Sequence, residues 1–299
     1  NLLSVQSALE TTAVQSASLA SASDVQVLVN AYNRILAEAN GSATDDTPGQ
    51  HATVANYNAI GATTAGGLNT PGLALLNDVV ANLSIAEVNT VPKVEALAAT
   101  VSHLQALAHL AVPPTPLPNI ELSALGALGI TGLNADNLPV FLALVASTAD
   151  DTTGIDTLEK LQSLVTQAQQ DHAQILLAQQ RQQAAIALIQ AYAGDETTAA
   201  GSAPPTLADF VTAGVTGVTV NNLAAIQSAL ATSTITGAQM GTSDSVQALV
   251  DAYRLILAEA NGSNADTTPL VNPTASTYAA IGATTAANMA DNGSAHSLL

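Results

Sequence analysis

The sequence predicts an all-α chain of tandem repeats, each a small three-helix unit of about 68 residues, with one copy enlarged by a long helix. Three features favour this class: a long internal repeat, apolar residues at helical spacing, and an apolar fraction made mostly of Ala, Leu and Val. Hydrophobic residues make up 48% of the 299 residues, but aromatic residues only 2%. We therefore expect thin cores rather than the aromatic-lined pockets that usually bind small molecules.

The internal repeat is plain in the residue letters. The stretch AYNRILAEANGS at 31–42 recurs as AYRLILAEANGS at 252–263, with two of twelve positions changed. The offset in residue number is 252 − 31 = 221, which we call the long period. The same offset relates 60–65 to 281–286, so one register holds over most of this region.

A shorter period lies inside the long one. Taken as equivalent marks, Gly61, Gly129, Gly214 and Gly282 lie at steps of 129 − 61 = 68, 214 − 129 = 85 and 282 − 214 = 68. Five segments follow from this period: a partial helical repeat at 1–52, a helical repeat at 53–118, an enlarged repeat with a long Gln-rich helix at 119–205, a helical repeat at 206–273, and the start of the next repeat at 274–299.

The best-defined helix is predicted over 24–40. Gly41 and, in the later copy, Gly262 stand where a left-handed C-terminal cap is expected. Apolar residues fall at alternating spacings of three and four, which places one stripe on the helix: Val25, Leu28, Val29, Tyr32, Ile35, Leu36 and Ala39.

Capping boxes are predicted at the start of this helix and of its later copy. Ser23 with Gln26, and Asp244 with Gln247, have the residue types and the spacing that satisfy the first backbone N–H groups of a helix.

Other elements complete the pattern. Two helices around 206–213 and 222–231 precede the later copy, and the proline-rich run at 113–118 predicts a stiff extended spacer. Over 156–193 the enlarged copy keeps helical spacing, although a break near 179–183 fits the pattern equally well. We expect this stretch to contact a neighbouring unit or chain.

The charge balance excludes two classes of partner. There are 23 acidic and 5 basic residues, for a formal net charge of −18. Nucleic-acid binding needs a basic surface, so we expect none here, and the same sign opposes adsorption to anionic lipids. No run of about 18 uninterrupted apolar residues is present, so no membrane insertion is expected.

The residues that carry chemistry are sparse. Cysteine is absent, which removes disulfides, thiolate metal sites and cysteine nucleophiles. No Gly-x-Ser-x-Gly elbow or phosphate loop with its lysine is found. The sequence therefore predicts a protein that is not an enzyme, with no catalytic, cofactor-binding or metal residues. The histidines lack metal-ligand spacing and read as solvated or core-edge residues: His51, His103, His109, His172 and His296.

Acidic loops are the one site-like feature. Clustered carboxylates can hold calcium, but the spacing here does not match the EF-hand loop. The better interpretation is that the acidic loops are solvated linkers that keep an apolar array soluble. The residues concerned are Asp45, Asp46, Asp150, Asp151, Asp156 and Asp266.

The repeated helix end Ala-Tyr-x-x-Ile-Leu-Ala-Glu-Ala-Asn-Gly, with Asp-Thr-Thr-Pro at 266–269 and Ile-Gly-Ala-Thr after it, resembles the tandem three-helix repeats of giant bacterial cell-surface and extracellular-matrix proteins, including adhesins. The resemblance implies an exported, elongated protein located outside the cell or on its surface. It implies no catalytic residues.

Two functions are consistent with these features. The first is a non-catalytic structural segment that forms a stalk, fibre, sheath or filament, with neighbouring repeats or identical chains as partners. The alternative is an adhesive module that recognises a host or matrix protein or a glycan. Because the chain begins at Asn1 and both ends fall within a repeat, we expect it to be part of a longer protein.

Overall fold

The structure, a computed structural model, describes residues 1–42, 51–108, 119–148, 153–194, 203–260 and 272–286. These residues form helices joined by turns, which confirms the predicted all-α class. Extended pairing within them is limited to an isolated antiparallel bridge between Asn40 and Ser84. The predicted spacer at 113–118 and the cap at Gly262 lie outside the described residues.

The helices vary in length from one turn to almost ten. Short 3₁₀ turns at Ser16–Leu19, Thr153–Ile155 and Gly237–Met240 separate some of them. In chain order the helices are α1 (Leu2–Leu9), α2 (Ala22–Glu38), α3 (Val54–Ala59), α4 (Thr63–Gly66), α5 (Thr70–Asn82), α6 (Ile85–Val88), α7 (Val91–Ala108), α8 (Leu122–Ala127), α9 (Leu138–Ser147), α10 (Leu158–Tyr192), α11 (Leu207–Thr212), α12 (Leu223–Ala231), α13 (Ser243–Glu259) and α14 (Ala275–Ala280).

Contacts divide the chain into two compact units, 1–174 and 175–299. The division falls inside α10, and therefore inside the predicted segment 119–205. The five predicted segments were defined by the sequence period, whereas the two compact units are defined by contacts. The boundaries of the five segments therefore stay a prediction.

The first compact unit has one continuous hydrophobic core, which extends from Ala8 to Ala168. Helix α2 contacts α3, α5 and α6, whereas α7 contacts α4, α5, α8 and α9. Tyr32, Tyr57 and Phe141 are its largest fully buried side chains. The long helices that precede and follow each short helix both contribute side chains to this core. The core therefore crosses the predicted segment boundaries without a gap.

The second compact unit has its own core. It contains Phe210 of α11 together with side chains from the last turns of α10 and from α12 and α13. Its fully buried members include Ile189, Ile226, Leu230 and Val246.

Helix α2 starts two residues earlier than its predicted capping box requires. The N-cap is Ser21, whose Oγ accepts the N–H of Asp24, while the Asp24 carboxylate accepts the N–H of Ser21 at 2.8 Å. The predicted Ser23–Gln26 pair was therefore wrong, because both residues lie inside the helix. Asp24 lies in the first turn of α2, where its negative charge suits the positive end of the helix dipole.

Helix α13 shows the same correction. Its N-cap is Thr242, paired with Ser245, so the predicted pair Asp244–Gln247 lies within the helix. The two helices are each 17 residues long, and their first residues differ in number by 243 − 22 = 221, the long period.

Gly41 adopts the predicted left-handed conformation, with φ of 80°. Its N–H, however, donates to the carbonyl of Ala81 at 3.0 Å and not to a carbonyl of α2. The glycine therefore joins the end of α2 to the end of α5 instead of closing its own helix.

The sequence left open whether the long helix of the enlarged segment is broken near 179–183. Helix α10 runs from Leu158 to Tyr192 without a break, through residues 179–183. The predicted helices around 206–213 and 222–231 are found as α11 and α12.

The turns after the short helices share one backbone conformation. Gly61, Gly129, Gly214 and Gly282 have φ values of 79°, 87°, 81° and 79°, in the left-handed region that glycine adopts without strain. Each follows a six-residue helix, namely α3, α8, α11 and α14.

Candidate functional site

Metal-binding chemistry is not assembled in the part of the chain that the structure describes. Those residues contain no group of three or more His, Asp or Glu side chains that could hold a metal ion. Asp156 forms an ion pair with Lys160 at 2.5 Å at the start of α10. The other five predicted acidic-loop residues, Asp45, Asp46, Asp150, Asp151 and Asp266, lie outside the described residues.

The histidines that can be placed are not brought together. His51 contacts the Glu38 carboxylate through Nδ1 at 2.7 Å, and its carbonyl accepts the Nε–H of Arg34 at 2.8 Å. His103 lies exposed on α7, and His172 lies half-buried on α10. His109 and His296 are not among the described residues.

The feature that recurs through the chain is a hydrogen-bonded contact that we call the clamp. In one case, Gln162 of α10 accepts the N–H of Thr131 through Oε1 at 3.1 Å and donates from Nε2 to the carbonyl of Thr131 at 2.9 Å. One amide side chain thus satisfies both backbone groups of a residue that lies in a turn, where no helical partner exists.

The clamp occurs at two further places with the same sequence separation. Gln247 of α13 accepts the N–H of Thr216 at 2.7 Å and donates to its carbonyl at 3.1 Å. Glu95 of α7 accepts the N–H of Thr64 through its carboxylate at 2.9 Å. In each case the acceptor is the fifth residue of its helix, and the threonine lies two or three positions after a left-handed glycine.

Beside each clamp the fourth residue of the short helix fills the core. Tyr57 of α3, Leu125 of α8 and Phe210 of α11 are fully buried, and we call this position the plug. The plug of α14, Tyr278, is only half-buried. A large buried side chain at this position contributes about 2–3 kcal/mol relative to an exposed one.

Polar bonds fix the helices around the first plug. Tyr57 donates from its hydroxyl to Asn77 Oδ1 at 2.9 Å, and Asn77 donates from Nδ2 to the carbonyl of Ala52 at 2.9 Å. Tyr32 of α2 donates to the carbonyl of Val88 at 3.2 Å. Buried polar groups that are fully bonded hold one arrangement of the surrounding helices, because leaving them unbonded is costly.

The environment shifts the pKa of three groups in this region. Burial raises the pKa of Tyr57 far above its usual range, and the negative charge of Glu38 raises it further. Burial likewise raises the pKa of Tyr32. The backbone N–H and hydroxyl of Ser84, which bond the Glu87 carboxylate at the start of α6, hold the pKa of Glu87 below its usual range.

Comparison with known proteins identifies no similar family, protein or structure. No family model matches the chain, and searches of curated proteins and of solved structures also return no match. Among the helices that the structure describes, none is long and apolar enough to cross a membrane.

The structure thus supplies a repeated helix junction, made of a clamp and a plug, as the candidate functional site. Sequence reasoning missed the clamp. The signal that could have found it is the constant spacing, a difference of 31 in residue number, from Thr64, Thr131 and Thr216 to an acceptor side chain. Tyr32, a member of the predicted apolar stripe, is fully buried, whereas Tyr253, its equivalent one long period later, is half-buried.

Proposed function

We propose that the chain is a non-catalytic structural segment of a repetitive protein outside the cell or on its surface, where it forms part of a stalk, fibre, sheath or filament. In this proposal the segments at 53–118, 119–205 and 206–273 are tandem helical units, and 1–52 and 274–299 are partial ones.

One observation carries the proposal: the core of the first compact unit does not stop at segment boundaries. Tyr32 of α2 bonds the carbonyl of Val88 in the following segment, and Asp78 of α5 accepts the N–H of Leu158 in the segment after that. Units that share a core with their neighbours depend on stacking for stability, which is the physical basis of repeat arrays.

The adhesive alternative gains no support from the exposed apolar residues. Val211 and Val220 are the most exposed valines in the described ranges. The equivalent positions one short period earlier, at 211 − 85 = 126 and 220 − 85 = 135, hold Gly126 and Ala135, so this apolar surface does not recur. An adhesive module that presents one helical face per unit would repeat its contact residues.

The test is immunogold electron microscopy of the native protein, with an antibody raised against the 299-residue chain. We expect regular labelling along fibres, sheaths or stalks outside the cell or on its surface. Antibody that has been pre-absorbed with the purified chain is the control. Label confined to the cell interior, on particles without repeated structure, would contradict the proposal.

The same preparation tests the acidic loops. Imaging at neutral pH with and without a calcium chelator separates two arrangements. Disassembly on chelation would assign bridging calcium to the loops, whereas an unchanged polymer supports solvated linkers.

A further inference from the structure

We propose that the contact between His51 and Glu38 is a pH-dependent latch, which holds the chain that follows α2 to the last turn of that helix while the imidazole is protonated. The later copy of this junction lacks the latch, because Asn272 stands one long period after His51. The two copies therefore respond differently to pH between about 5.5 and 8. The inference concerns the fold and does not depend on the proposed function.

The latch joins an almost buried carboxylate to a partly exposed ring. The Nδ1 atom of His51 lies 2.7 Å from Oε1 of Glu38, and the two side chains are 36% and 10% exposed, respectively. A carboxylate with so little water around it needs a hydrogen-bond donor or a positive charge close by. A neutral imidazole supplies only the hydrogen bond, whereas an imidazolium supplies both. Protonation therefore turns the contact into a charge-assisted hydrogen bond, which is the stronger kind.

The latch is connected to the buried polar bonds around the first plug. The carbonyl of His51 accepts the Nε–H of Arg34 on α2, and the carbonyl of the next residue, Ala52, accepts Nδ2–H of Asn77 on α5. Asn77 in turn accepts the hydroxyl of the plug Tyr57. The chain at His51 is thus held between α2 and α5 just before α3 begins. A weaker latch should loosen the start of α3.

The charged groups that face the latch come from α2 and α3. Arg34 lies one turn before Glu38, and its positive charge opposes protonation of His51. Tyr57 is neutral over this pH range, because burial and the charge of Glu38 raise its pKa far above its usual value. Glu38 is in direct contact with the ring, so its charge has the larger effect and favours the protonated form.

The neighbouring elements add no charge that opposes this sign. Asp78 of α5 is negative and accepts the N–H of Leu158. Helix α4 carries no charged side chain. Asp45 and Asp46 precede His51 in the sequence and lie outside the described residues. They are present in every variant below, so the comparisons are made with both in place.

The direction of the effect follows from which form of His51 the folded chain binds better. An imidazole in an unfolded chain titrates near pH 6.5, to within about a unit. Because the folded chain favours the protonated ring, the stability that the latch contributes is complete below that pH and is lost as the pH rises above it. Mild acid therefore tightens the first copy of the junction, and mild alkali loosens it.

The later copy has the same junction without a titrating group. Asn272 follows Glu259 by 272 − 259 = 13 residues, just as His51 follows Glu38 by 51 − 38 = 13. With its amide turned so that both groups are satisfied, Asn272 donates to the Glu259 carboxylate at 3.3 Å. A side-chain amide neither gains nor loses a proton in this range, so the contact is the same in acid and in alkali.

Exchanging the residue between the copies tests the latch. His51→Asn gives the first copy the residue that the later copy has, so the variant is expected to fold. Amide hydrogen exchange over 52–57, followed by mass spectrometry, should be about tenfold faster in the variant than in the unchanged chain at pH 5.5. At pH 8 the two rates should agree within about twofold. Taking the ratio of the two proteins at each pH removes the intrinsic dependence of exchange on pH.

The reverse substitution and an unrelated histidine complete the comparison. Asn272→His should give the later copy the response that it lacks, so exchange in α14, relative to the unchanged chain, should slow as the pH falls from 8 to 5.5. His103→Asn, which changes an exposed residue of α7, is the matched control. Its exchange ratio over 52–57 should stay near one at both pH values.

Nuclear magnetic resonance titration separates the charge from packing. Glu38→Gln keeps a hydrogen-bonding side chain but removes the negative charge, so the ring of His51 should titrate at a lower pH in this variant than in the unchanged chain. A role in packing alone would leave the midpoint where it was. Equal midpoints in the two proteins would overturn the proposal, as would an exchange ratio for His51→Asn that is the same at pH 5.5 and pH 8.

Discussion

At the scale of single residues, a few polar side chains of the long helices bond the backbone of turns. Thr131 and Thr216 lie where the chain leaves a short helix, and a glutamine from a long helix satisfies both backbone groups of each. The clamp has a specific geometry, but a single acceptor oxygen is enough to form it. At Thr64 the carboxylate of Glu95 accepts the backbone N–H.

The first prediction concerns the clamp acceptor. Gln162→Ala leaves the N–H and carbonyl of Thr131 without their partner, so we expect the free energy of unfolding to fall by about 1 kcal/mol. Gln162→Glu keeps the acceptor and should lose less than half of that. Gln167→Ala, which removes only a bond to Asp171 on the same helix, is the control. Urea unfolding measures the stability of all three variants. Equal losses of stability for Gln162→Ala and Gln167→Ala would contradict the assignment of Gln162 to the clamp.

The second prediction concerns Tyr57, whose pKa is raised in the folded state. A raised folded pKa gives stability that is complete below the unfolded value of about 10 and is lost as the pH rises above it. Tyr57→Phe should therefore cost about 1 kcal/mol at pH 7, through the lost bond to Asn77, and less at pH 11.

Urea unfolding at pH 7 and pH 11 makes the comparison for Tyr57→Phe. Because burial also raises the pKa of Tyr32, the variant should still lose stability in alkali, with a smaller slope. A constant difference between the two proteins at both pH values would contradict the prediction.

At the scale of elements, the sequence predicted α2 and its later copy α13 well, but it did not predict the long helices α5 and α7. The stripe from Val25 to Ala39 and the long period fix α2 and α13 to within two residues at their starts. The error at the starts arose because Ser21 and Ser23 are both suitable N-caps. The carboxylate of Asp24, three residues after Ser21, decides between them.

The sequence reasoning missed the shortest elements and the candidate site. Helices α4 and α6 have four residues each, too few to show a period. The clamp depends on a partner from a distant helix, and the spacing between the two is meaningful only once the short helix and the long helix are packed together. The unbroken course of α10 through 179–183 was also undecided, because the Gln and Arg residues there fit either outcome.

The third prediction concerns the middle of α10. The residues at 173–181 are all exposed, so this stretch depends on helix propensity rather than on packing. Ala178→Gly should weaken it locally by about 1 kcal/mol and speed amide hydrogen exchange at neighbouring residues. Melting of the two cores should not change.

Ala168→Gly is the matched control for this experiment. Ala168 is fully buried in the core of the first compact unit, so the same substitution should lower global stability as well. Hydrogen exchange followed by mass spectrometry separates the two responses. A global loss from Ala178→Gly equal to that from Ala168→Gly would show that the middle of α10 is packed.

At the scale of the whole molecule, charge is the dominant property. A net charge of −18 with only five cations keeps the aliphatic surface in solution but opposes compact packing through self-repulsion. The continuous core of the first compact unit must therefore form against a repulsion that salt reduces.

The fourth prediction follows from this charge. Raising NaCl from about 10 mM to about 150 mM shortens the Debye length from about 30 Å to about 8 Å, and should raise the melting temperature by several degrees. Calcium chloride and magnesium chloride at equal ionic strength should act alike if the acidic loops are solvated linkers. A larger shift with calcium than with magnesium would assign a site to those loops.

The plugs of neighbouring segments differ in a way that matters for misfolding. Adjacent copies carry Tyr57, Leu125 and Phe210 at one position, and the tyrosine returns only at Tyr278, one long period after the first. Tandem copies of one sequence tend to exchange elements with their neighbours during folding and become trapped in swapped forms. Plugs of different size make such an exchange leave a cavity or a clash, so each segment is guided to its own partner while the chain is still being synthesised.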